Sequence, residues 1–261
     1  MTRIIAITNQ KGGVGKTTTA VNLAAGLAHL QQRVLLVDLD PQGNATMGSG
    51  IDKRGLGRTV YHVLLGQAKS SEVIQRSSRG GYDLLPANRD LAGAEVEMVG
   101  IAQRETRLKD ELCALNGRYD YVLIDCPPAL NLLTVNALAA ADAVLIPMQC
   151  EYFALEGLTD LVNTIKKVKA GINSRIEIEG LLRVMFDPRN TLSQQVSDQL
   201  KGHFGAKVFD TVIPRNVRLA EAPSHGLAAL AYDRGSKGAQ AYLRLAEEFI
   251  ARRQHRSKEK N

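Results

Sequence analysis

A glycine-rich segment near the N-terminus limits this chain to a narrow set of folds. Residues 10–18 have the sequence QKGGVGKTT and lie between an apolar run at Ile4–Thr8 and a helical pattern at Thr17–Leu30. A glycine loop between a strand and a helix is the setting of a phosphate-binding loop. Glycines let backbone N–H groups turn toward phosphate oxygens, and the helix N-terminus adds partial positive charge. The segment therefore predicts a nucleotide site on an α/β sheet.

The residues of this loop have separate expected roles. Lys16 is expected to reach the β- and γ-phosphates, and the Thr17 hydroxyl to bind Mg²⁺. The strict P-loop pattern has glycine where this chain has Gln10, and a second lysine, Lys11, follows it. A cation that begins the loop cannot easily fold back onto its own phosphates, so Lys11 is well placed to reach across a subunit interface. The predicted nucleotide-binding residues here are Lys11, Gly12, Gly13, Val14, Gly15, Lys16, Thr17 and Thr18.

Acidic residues follow two further apolar runs. The segment VDLDPQGN at 37–44 comes directly after Arg33–Val37, and YVLIDCPP at 121–128 is an apolar run that ends in Asp125. The carboxyl ends of parallel strands face the crevice where ligands bind. Carboxylates there can hold Mg²⁺-bound water and orient an attacking water, and Asp125 is predicted to hold Mg²⁺ through water. The alternatives are an ordinary Asp-Pro turn and an aspartate that caps the next helix.

The whole chain alternates short β-branched runs with longer helical patterns. Runs such as Val34–Val37 are apolar on both faces, which is typical of parallel strands covered by helices on both sides. We predict an α/β fold, a single-domain P-loop NTPase with a mostly parallel twisted sheet over residues 1–251, followed by a disordered, basic tail at 252–261. The predicted strands are Ile4–Thr8, Arg33–Val37, Tyr82–Leu85, Tyr121–Ile124, Ala143–Pro147, Ile178–Met185 and Val208–Val212. The predicted helices are Thr17–Leu30, Thr59–Leu65, Leu91–Leu115, Leu132–Ala140, Leu155–Ala170, Leu192–Phe204 and Gly238–Arg253, with a mobile loop at Met47–Arg58.

Composition excludes several classes of protein. The hydrophobic fraction is 44% and the charged fraction 23%, which excludes a wholly disordered chain. No apolar run approaches the roughly 18 residues of a membrane span, and the N-terminal residues lack the pattern of a signal peptide. Cys113, Cys126 and Cys150 form neither a CxxC pair nor a disulfide framework, so a reducing cytoplasm is expected.

The positive charge of the chain is concentrated in its last third. Residues 1–170 contain 18 Lys and Arg against 17 Asp and Glu, a net charge of +1. Residues 171–261 contain 15 against 10, a net charge of +5. This bias permits a polyanionic partner but fits equally well a basic protein that binds none.

The motifs in combination resemble the ParA/MinD family of ATPases. KGGVGKTT at 11–18 is similar to the deviant Walker A motif of that family, and VDLDPQGN at 37–44 to its second signature. The segment RLAEAPSHG at 218–226 resembles the chromosome-partitioning ParA (Soj) group. The resemblance covers nearly the whole chain and implies a Mg²⁺-dependent ATPase with slow basal turnover, whose cofactors are ATP and Mg²⁺.

The family resemblance also implies roles for single residues. It implies that Lys11 contacts the nucleotide of the partner subunit in an ATP-sandwiched homodimer. It places Asp40 near the attacking water and gives Asp38 a supporting role in the Mg²⁺ shell. Pro214 and Asn216, which follow the last predicted strand, are implied to lie against the adenine.

In the segregation branch of this family, the ATP-bound dimer binds double-stranded DNA without sequence preference. A ParB-like centromere-binding protein then stimulates hydrolysis and release, which implies a cytoplasmic, nucleoid-associated protein. The first predicted strand begins at about residue 3, so a preceding helix-turn-helix domain and operator binding are not expected.

Lone arginines are more often solvated surface charges than contacts with DNA. The candidate DNA contacts in the basic last third are Arg189, Arg215, Arg218, Lys237 and Arg244.

Other members of this broad class have different functions. A MinD-like or cargo-positioning ATPase would act on a membrane or protein surface, but the residues after Ile250 form no apolar face. A stable membrane anchor is therefore not expected. Relatives of the nitrogenase iron protein would need cysteines such as Cys113 and Cys150 for an Fe–S cluster, and their setting does not favour this. An inactive scaffold is not supported, because Lys16, Thr17 and the acids are present.

Overall fold

An eight-stranded sheet forms the centre of the protein in a computed structural model that describes residues 2–152 and 154–259. The strands are β1 (Arg3–Ile7), β2 (Val34–Asp38), β3 (Gln75–Ser77), β4 (Tyr82–Leu85), β5 (Tyr121–Asp125), β6 (Ala143–Met148), β7 (Glu177–Phe186) and β8 (Val208–Pro214). Their order across the sheet is β3-β4-β2-β5-β1-β6-β7-β8. β3 is antiparallel to β4, and the other neighbouring pairs are parallel. The predicted mostly parallel α/β sheet is confirmed.

The helices connect successive strands and cover the sheet. They are α1 (Lys16–His29), α2 (Asn44–Gly48), α3 (Val60–Leu64), α4 (Ser70–Val73), α5 (Leu91–Glu97), α6 (Arg107–Cys113), α7 (Leu132–Ala140), α8 (Ala154–Gly171), α9 (Thr191–Phe204), α10 (Val217–Glu221), α11 (Ala229–Tyr232) and α12 (Lys237–Glu259). Short 3₁₀ turns lie at Lys53–Gly55, Met98–Gly100, Gly205–Lys207 and Ala222–His225. Within the described ranges, no helix combines the length and apolar character that crossing a bilayer requires.

Both faces of the sheet are buried. This explains why the sequences of the central strands do not alternate between apolar and polar residues. Along β2, Leu35 and Val37 pack into one hydrophobic cluster, and Val34 and Leu36 pack into the other. Successive side chains of a strand point to opposite faces, so each face needs its own apolar set. Helices α1 and α12 pack against each other on the second face. The carboxyl edge of the sheet remains the open end where a ligand can bind.

Three secondary-structure predictions are corrected by the structure. The predicted helix Leu91–Leu115 is two helices, α5 and α6, because the chain leaves helical geometry after Gly100 and Gln103 has a φ of 55°. Strand β3 and the short helices α4, α10 and α11 were not predicted, since segments of three to five residues show no clear periodicity. The predicted loop at Met47–Arg58 contains the end of α2 and a 3₁₀ turn that Asp52 caps by accepting from the Arg54 amide.

The predicted boundary at residue 251 falls inside α12, which continues to Glu259. Arg252 donates hydrogen bonds to the carbonyls of Ala206 and Val208, and Arg253 donates to that of Asp120. The structure thus describes residues 252–259 as part of this helix, where the sequence predicts a disordered tail, and Arg252 and Arg253 bind carbonyl groups of the preceding fold. Residues 260 and 261 lie outside the described ranges.

Candidate functional site

Three neighbouring strands bring the predicted acids and the glycine loop to one edge of the sheet. β5 lies between β1 and β2, and its last residue, Asp125, is paired in register with Ile7 of β1 and with Asp38 of β2. The glycine loop leaves the sheet directly after Ile7. Segments that are far apart in the sequence therefore meet at the carboxyl ends of adjacent parallel strands.

The glycines of the loop have open space around them. Gly13 and Gly15 both have a φ of +74°, a conformation that strains residues with a Cβ atom. A Cβ added at Gly12, Gly13 or Gly15 would meet no atom within 4 Å, so side chains there would fill space that is now empty. The loop passes into α1 at Lys16, whose preceding residue is the left-handed Gly15. This geometry suits a cradle for an anion at a helix N-terminus.

The two lysines of the loop occupy different environments. Lys16 is buried, and its Nζ donates to the carbonyl oxygen of Lys11 at 3.1 Å. Burial lowers the pKa of Lys16, and the nearby carboxylates of Asp125 and Asp40 oppose that shift. The side chain of Lys11 is instead half-exposed, and its Nζ lies 2.6 Å from Oε2 of Glu151, beyond β6. Lys16 is thus available to a ligand inside the loop, whereas Lys11 is available at the surface.

Asp125 is a fully buried carboxylate with few partners. Neither of its oxygens has a hydrogen-bond partner among the described residues. Burial raises the pKa of Asp125 well above its ordinary value, and the neighbouring Asp38 raises it further. The Thr17 hydroxyl and Lys16 lie near enough to oppose that shift, although the hydroxyl makes no regular hydrogen bond with the carboxylate. A buried acid without partners is costly unless a cation or a proton compensates it.

Asp38 is buried as well, but its carboxylate is already engaged. Oδ2 accepts the backbone N–H of Thr46 at 2.8 Å and the Thr46 hydroxyl at 2.7 Å, and Oδ1 accepts the N–H of Asp40 at 3.1 Å. Burial raises the pKa of Asp38 to about 6, and these hydrogen bonds oppose the shift. Asp40 is less buried, and its Oδ1 accepts the Gln42 N–H at 2.9 Å. Asp38 therefore fixes the loop that carries Asp40.

Thr46 joins this loop to the segment that follows β4, so its hydroxyl is expected to contribute measurably to stability. The hydroxyl donates to Asp38 and accepts the Ala87 N–H at 2.9 Å, and the residue is fully buried. Thr46→Val keeps the shape but leaves both groups without this partner, so the free energy of unfolding in urea should fall by about 1–3 kcal/mol. Thr159→Val, which removes an exposed helical hydroxyl, is the control and should cost less than about 0.5 kcal/mol. Equal losses for both variants would contradict the assignment.

The residues at this edge fit a magnesium ion bound with phosphate. Among the described residues, no group of three or more His, Cys, Asp or Glu side chains could hold a metal by itself. Mg²⁺ in nucleotide sites keeps several waters and uses one or two protein ligands besides the phosphates. Thr17 and Asp125, whose carboxylate oxygens accept no hydrogen bond from the described residues, supply such a set. Asp38, whose oxygens are occupied, fits a supporting position outside the ion's immediate ligands.

A cavity of about 210 Å³ continues from the glycine loop. Gly15 and Thr18 of the glycine loop line it together with Pro214 and Asn216. Asn216 also begins α10 by accepting the Arg218 N–H at 3.1 Å, which leaves its amide N–H₂ group available. The predicted phosphate and base residues therefore share one continuous site. Apolar side chains form most of the remaining wall, as expected for a site that takes a planar ring.

The five predicted DNA contacts are all exposed but differ in their charge environment. Arg189 forms an ion pair with Asp187 at 2.9 Å, and Arg218 contacts both Glu221 and Asp233. Within the part of the chain that the structure describes, no carboxylate pairs with the other three, which are Arg215, Lys237 and Arg244. Lys237 and Arg244 lie two turns apart on α12, so they share one side of the helix.

The sequence did not predict two residues that contact the candidate site residues, Glu151 with Lys11 and Thr46 with Asp38. Glu151 was not predicted, although its position just beyond β6 could have suggested it, because β6 ends at the same edge of the sheet. Thr46 carried no sequence signal, since a threonine in an Asn-Ala-Thr segment fits many loops. Only the contact with Asp38 identifies its role.

Comparison with known proteins places the chain among well-defined relatives. Residues 2–178 match the family described as AAA domain. The chain is 54% identical over 256 residues to the chromosome partitioning protein ParA of Caulobacter vibrioides, covering 97% of this chain and 96% of the relative. It is also 54% identical over 251 residues to the sporulation initiation inhibitor protein Soj of Bacillus subtilis, covering 96% and 99%.

A solved structure shares the fold along nearly the full length. The cobyrinic acid a,c-diamide synthase from Mycobacterium smegmatis, with bound ATP analog and magnesium, superimposes with a TM-score of 0.83 at 40% identity. The superposition covers 95% of this chain and 93% of that one.

Proposed function

Since the chain belongs to the ParA/MinD family of P-loop ATPases, within its ParA/Soj group, we propose that it uses ATP to switch a DNA-bound dimer on and off. The chain is a partitioning ATPase whose nucleotide is ATP and whose metal is Mg²⁺. Two curated partitioning relatives, each 54% identical over nearly the whole chain, support this class. The proposal assigns residues to each step of hydrolysis and a surface of the protein to DNA binding.

The geometry of the loop supports a division of labour during hydrolysis. The backbone N–H groups of the loop and the buried Lys16 hold the phosphates, because the loop leaves open space around its glycines and the Lys16 Nζ lies against the loop carbonyl of Lys11. Thr17 and Asp125 hold the metal, which when bound offsets the phosphate charge. Asp40 orients the attacking water, since its carboxylate lies on the loop that Asp38 fixes. The assignments of Asp38, Pro214 and Asn216 follow the contacts described above.

The outward position of Lys11 is the observation that carries the proposed dimer. Lys16 is buried with its Nζ against a loop carbonyl, whereas Lys11 has a half-exposed side chain that is paired with Glu151 and turned away from that carbonyl. A cation in that position can reach the phosphates of a nucleotide held by a second copy. Two copies that face each other would then each complete the other's site, with ATP buried between them. Slow basal turnover follows, because one subunit alone lacks part of the site.

The proposed DNA surface is the basic side of the last third of the chain. Arg215, Lys237 and Arg244 are exposed and have no carboxylate partner among the described residues, so they can neutralise phosphates without first breaking an ion pair. Arg189 and Arg218 remain in the proposal with a smaller expected contribution. A dimer doubles this array, and several charges on one face are what non-specific binding needs.

Retention on non-specific double-stranded DNA with ATP, with ADP and without nucleotide tests this proposal. We expect retention with ATP only, weakening steeply as salt rises. The double variant Lys237→Glu/Arg244→Glu should lower affinity at least tenfold and flatten the salt dependence by about one unit of slope per lost contact. The control Lys166→Glu/Lys169→Glu on α8 has the same net charge and should bind normally. An equal loss in both variants would contradict the assigned surface.

The proposed partner that accelerates hydrolysis is a ParB-like centromere-binding protein, and the proposed location is the cytoplasm, on the nucleoid. The second candidate is a MinD-like or cargo-positioning ATPase. A protein that dimerises with ATP but is not retained on DNA would favour that candidate. Binding to anionic liposomes would then be measured next.

A further inference from the structure

Met185, near the carboxyl end of β7, has a backbone conformation that residues with a side chain rarely adopt. Its φ is +50°, in the left-handed region. The register with β8 advances three residues on β7, from Arg183 to Phe186, but only two on β8, from Val212 to Pro214. β7 therefore contains one extra residue, and Met185 lies in the resulting bulge. Glycine is the usual residue at a left-handed bulge position, so a methionine there requires an explanation.

The bulge changes which side chains reach the cavity beside the glycine loop. In a regular strand, consecutive side chains point to opposite faces. Val184 and Met185 are consecutive, yet both line the cavity of about 210 Å³. In a regular strand only one of these two side chains would line the cavity. The bulge therefore adds Met185 to the cavity wall. The amide of Gln149 donates to the Met185 Sδ atom and holds the side chain in place.

The chemistry of this wall suits a planar heterocyclic base. Val184, Ile213, Pro214 and Leu219 line the same cavity and supply apolar surface. A thioether is polarisable and packs favourably against aromatic rings. Because Gly15 also lines the cavity, a ligand whose phosphates lie in the loop would place its base there.

We propose that Met185 contacts the base of the nucleotide, and that its left-handed backbone is retained for nucleotide affinity rather than for the stability of the fold. This inference rests on the proposed nucleotide site. Strained residues kept at a binding site impair stability, and relieving the strain should restore it. Affinity and stability should therefore change in opposite directions when Met185 is replaced by glycine.

Two variants separate the side chain from the backbone conformation. Met185→Gly removes both the backbone strain and the side chain that lines the cavity. Met185→Leu keeps a side chain of similar volume on the same backbone. Calorimetry would measure MgATP binding, and thermal unfolding without nucleotide would measure stability. Inorganic tripolyphosphate with Mg²⁺ is the control ligand, because it fills the loop but has no base.

For Met185→Gly we expect MgATP affinity about tenfold weaker, unchanged tripolyphosphate binding and a melting temperature no lower than that of the parent. Met185→Leu should bind MgATP within about threefold of the parent. The proposal fails if Met185→Gly binds MgATP as tightly as the parent. It also fails if Met185→Gly melts several degrees lower and loses both ligands, since the bulge would then serve the fold. A parent protein that does not bind MgATP would instead overturn the proposed function.

Discussion

Replacing Lys11 by alanine is expected to abolish the ATP-dependent dimer while the monomer still binds ATP. Lys16 and the loop amides, which hold the phosphates within one subunit, stay intact in this variant. Each dimer loses two charge-assisted contacts, one from each subunit, and each such contact contributes about 1.5–3 kcal/mol. The dimer should therefore weaken by at least about a hundredfold. Light scattering coupled to size-exclusion chromatography with ATP would measure it, together with nucleotide binding by calorimetry.

The matched control is Lys166→Ala, which removes an exposed lysine from α8 far from the loop in sequence. This control should dimerise with ATP as the parent does. DNA retention should follow the dimer and disappear in Lys11→Ala alone. An ATP-dependent dimer of normal stability in Lys11→Ala would exclude the proposed contact across the interface. Loss of ATP binding would instead mean that Lys11 acts within its own subunit.

Replacing Asp40 by alanine is expected to stop turnover and leave the dimer locked with ATP. A positioned carboxylate that orients or deprotonates water contributes about 10²–10⁴-fold to a rate. Hydrolysis, measured as phosphate release, should therefore fall by about a hundredfold or more, because the phosphate-binding residues are unchanged but the water is not oriented. DNA retention should become persistent with ATP, since hydrolysis is the proposed releasing step.

Asp40 also has a structural contact that the experiment must separate from catalysis. Its Oδ1 accepts the Gln42 N–H, and Asp40→Asn keeps an acceptor at that position while removing the charge. Both variants should lose turnover if the carboxylate acts on water. Asp160→Ala, an exposed acid on α8, is the control and should hydrolyse ATP normally. Normal turnover in either Asp40 variant would remove this residue from the mechanism.

Much of the fold was predictable because parallel strands covered on both faces have a distinctive composition. The runs of β1, β2, β5 and β6 were recognised because apolar residues occupy successive positions rather than every second one. The elements that the sequence did not predict are short, and contacts with neighbouring segments stabilise them. Strand β3 pairs antiparallel with β4 at the edge of the sheet, and nothing in its three residues requires a strand.

The same distinction applies to the end of the chain. A polar, basic segment after residue 251 has the composition of a solvated terminus and therefore predicts disorder, whereas the structure continues α12 to Glu259. Arg252 and Arg253 instead extend α12 by donating to carbonyl groups contributed by distant segments. Such contacts depend on which segments lie close together in the folded protein, and composition alone does not predict them.

The sequence by itself determined the chemistry that this protein can perform. Glycines that tolerate positive φ, a lysine at the helix start and acids after buried strands are local requirements of phosphate and metal binding, so they are visible residue by residue. Only the tertiary structure decided the environment of each group. It placed β5 between β1 and β2, engaged Asp38 with Thr46 and left the Asp125 carboxylate without a hydrogen-bond partner among the described residues. Burial and hydrogen-bond partners depend on segments distant in the chain, and these set which of two similar acids is available to a cation.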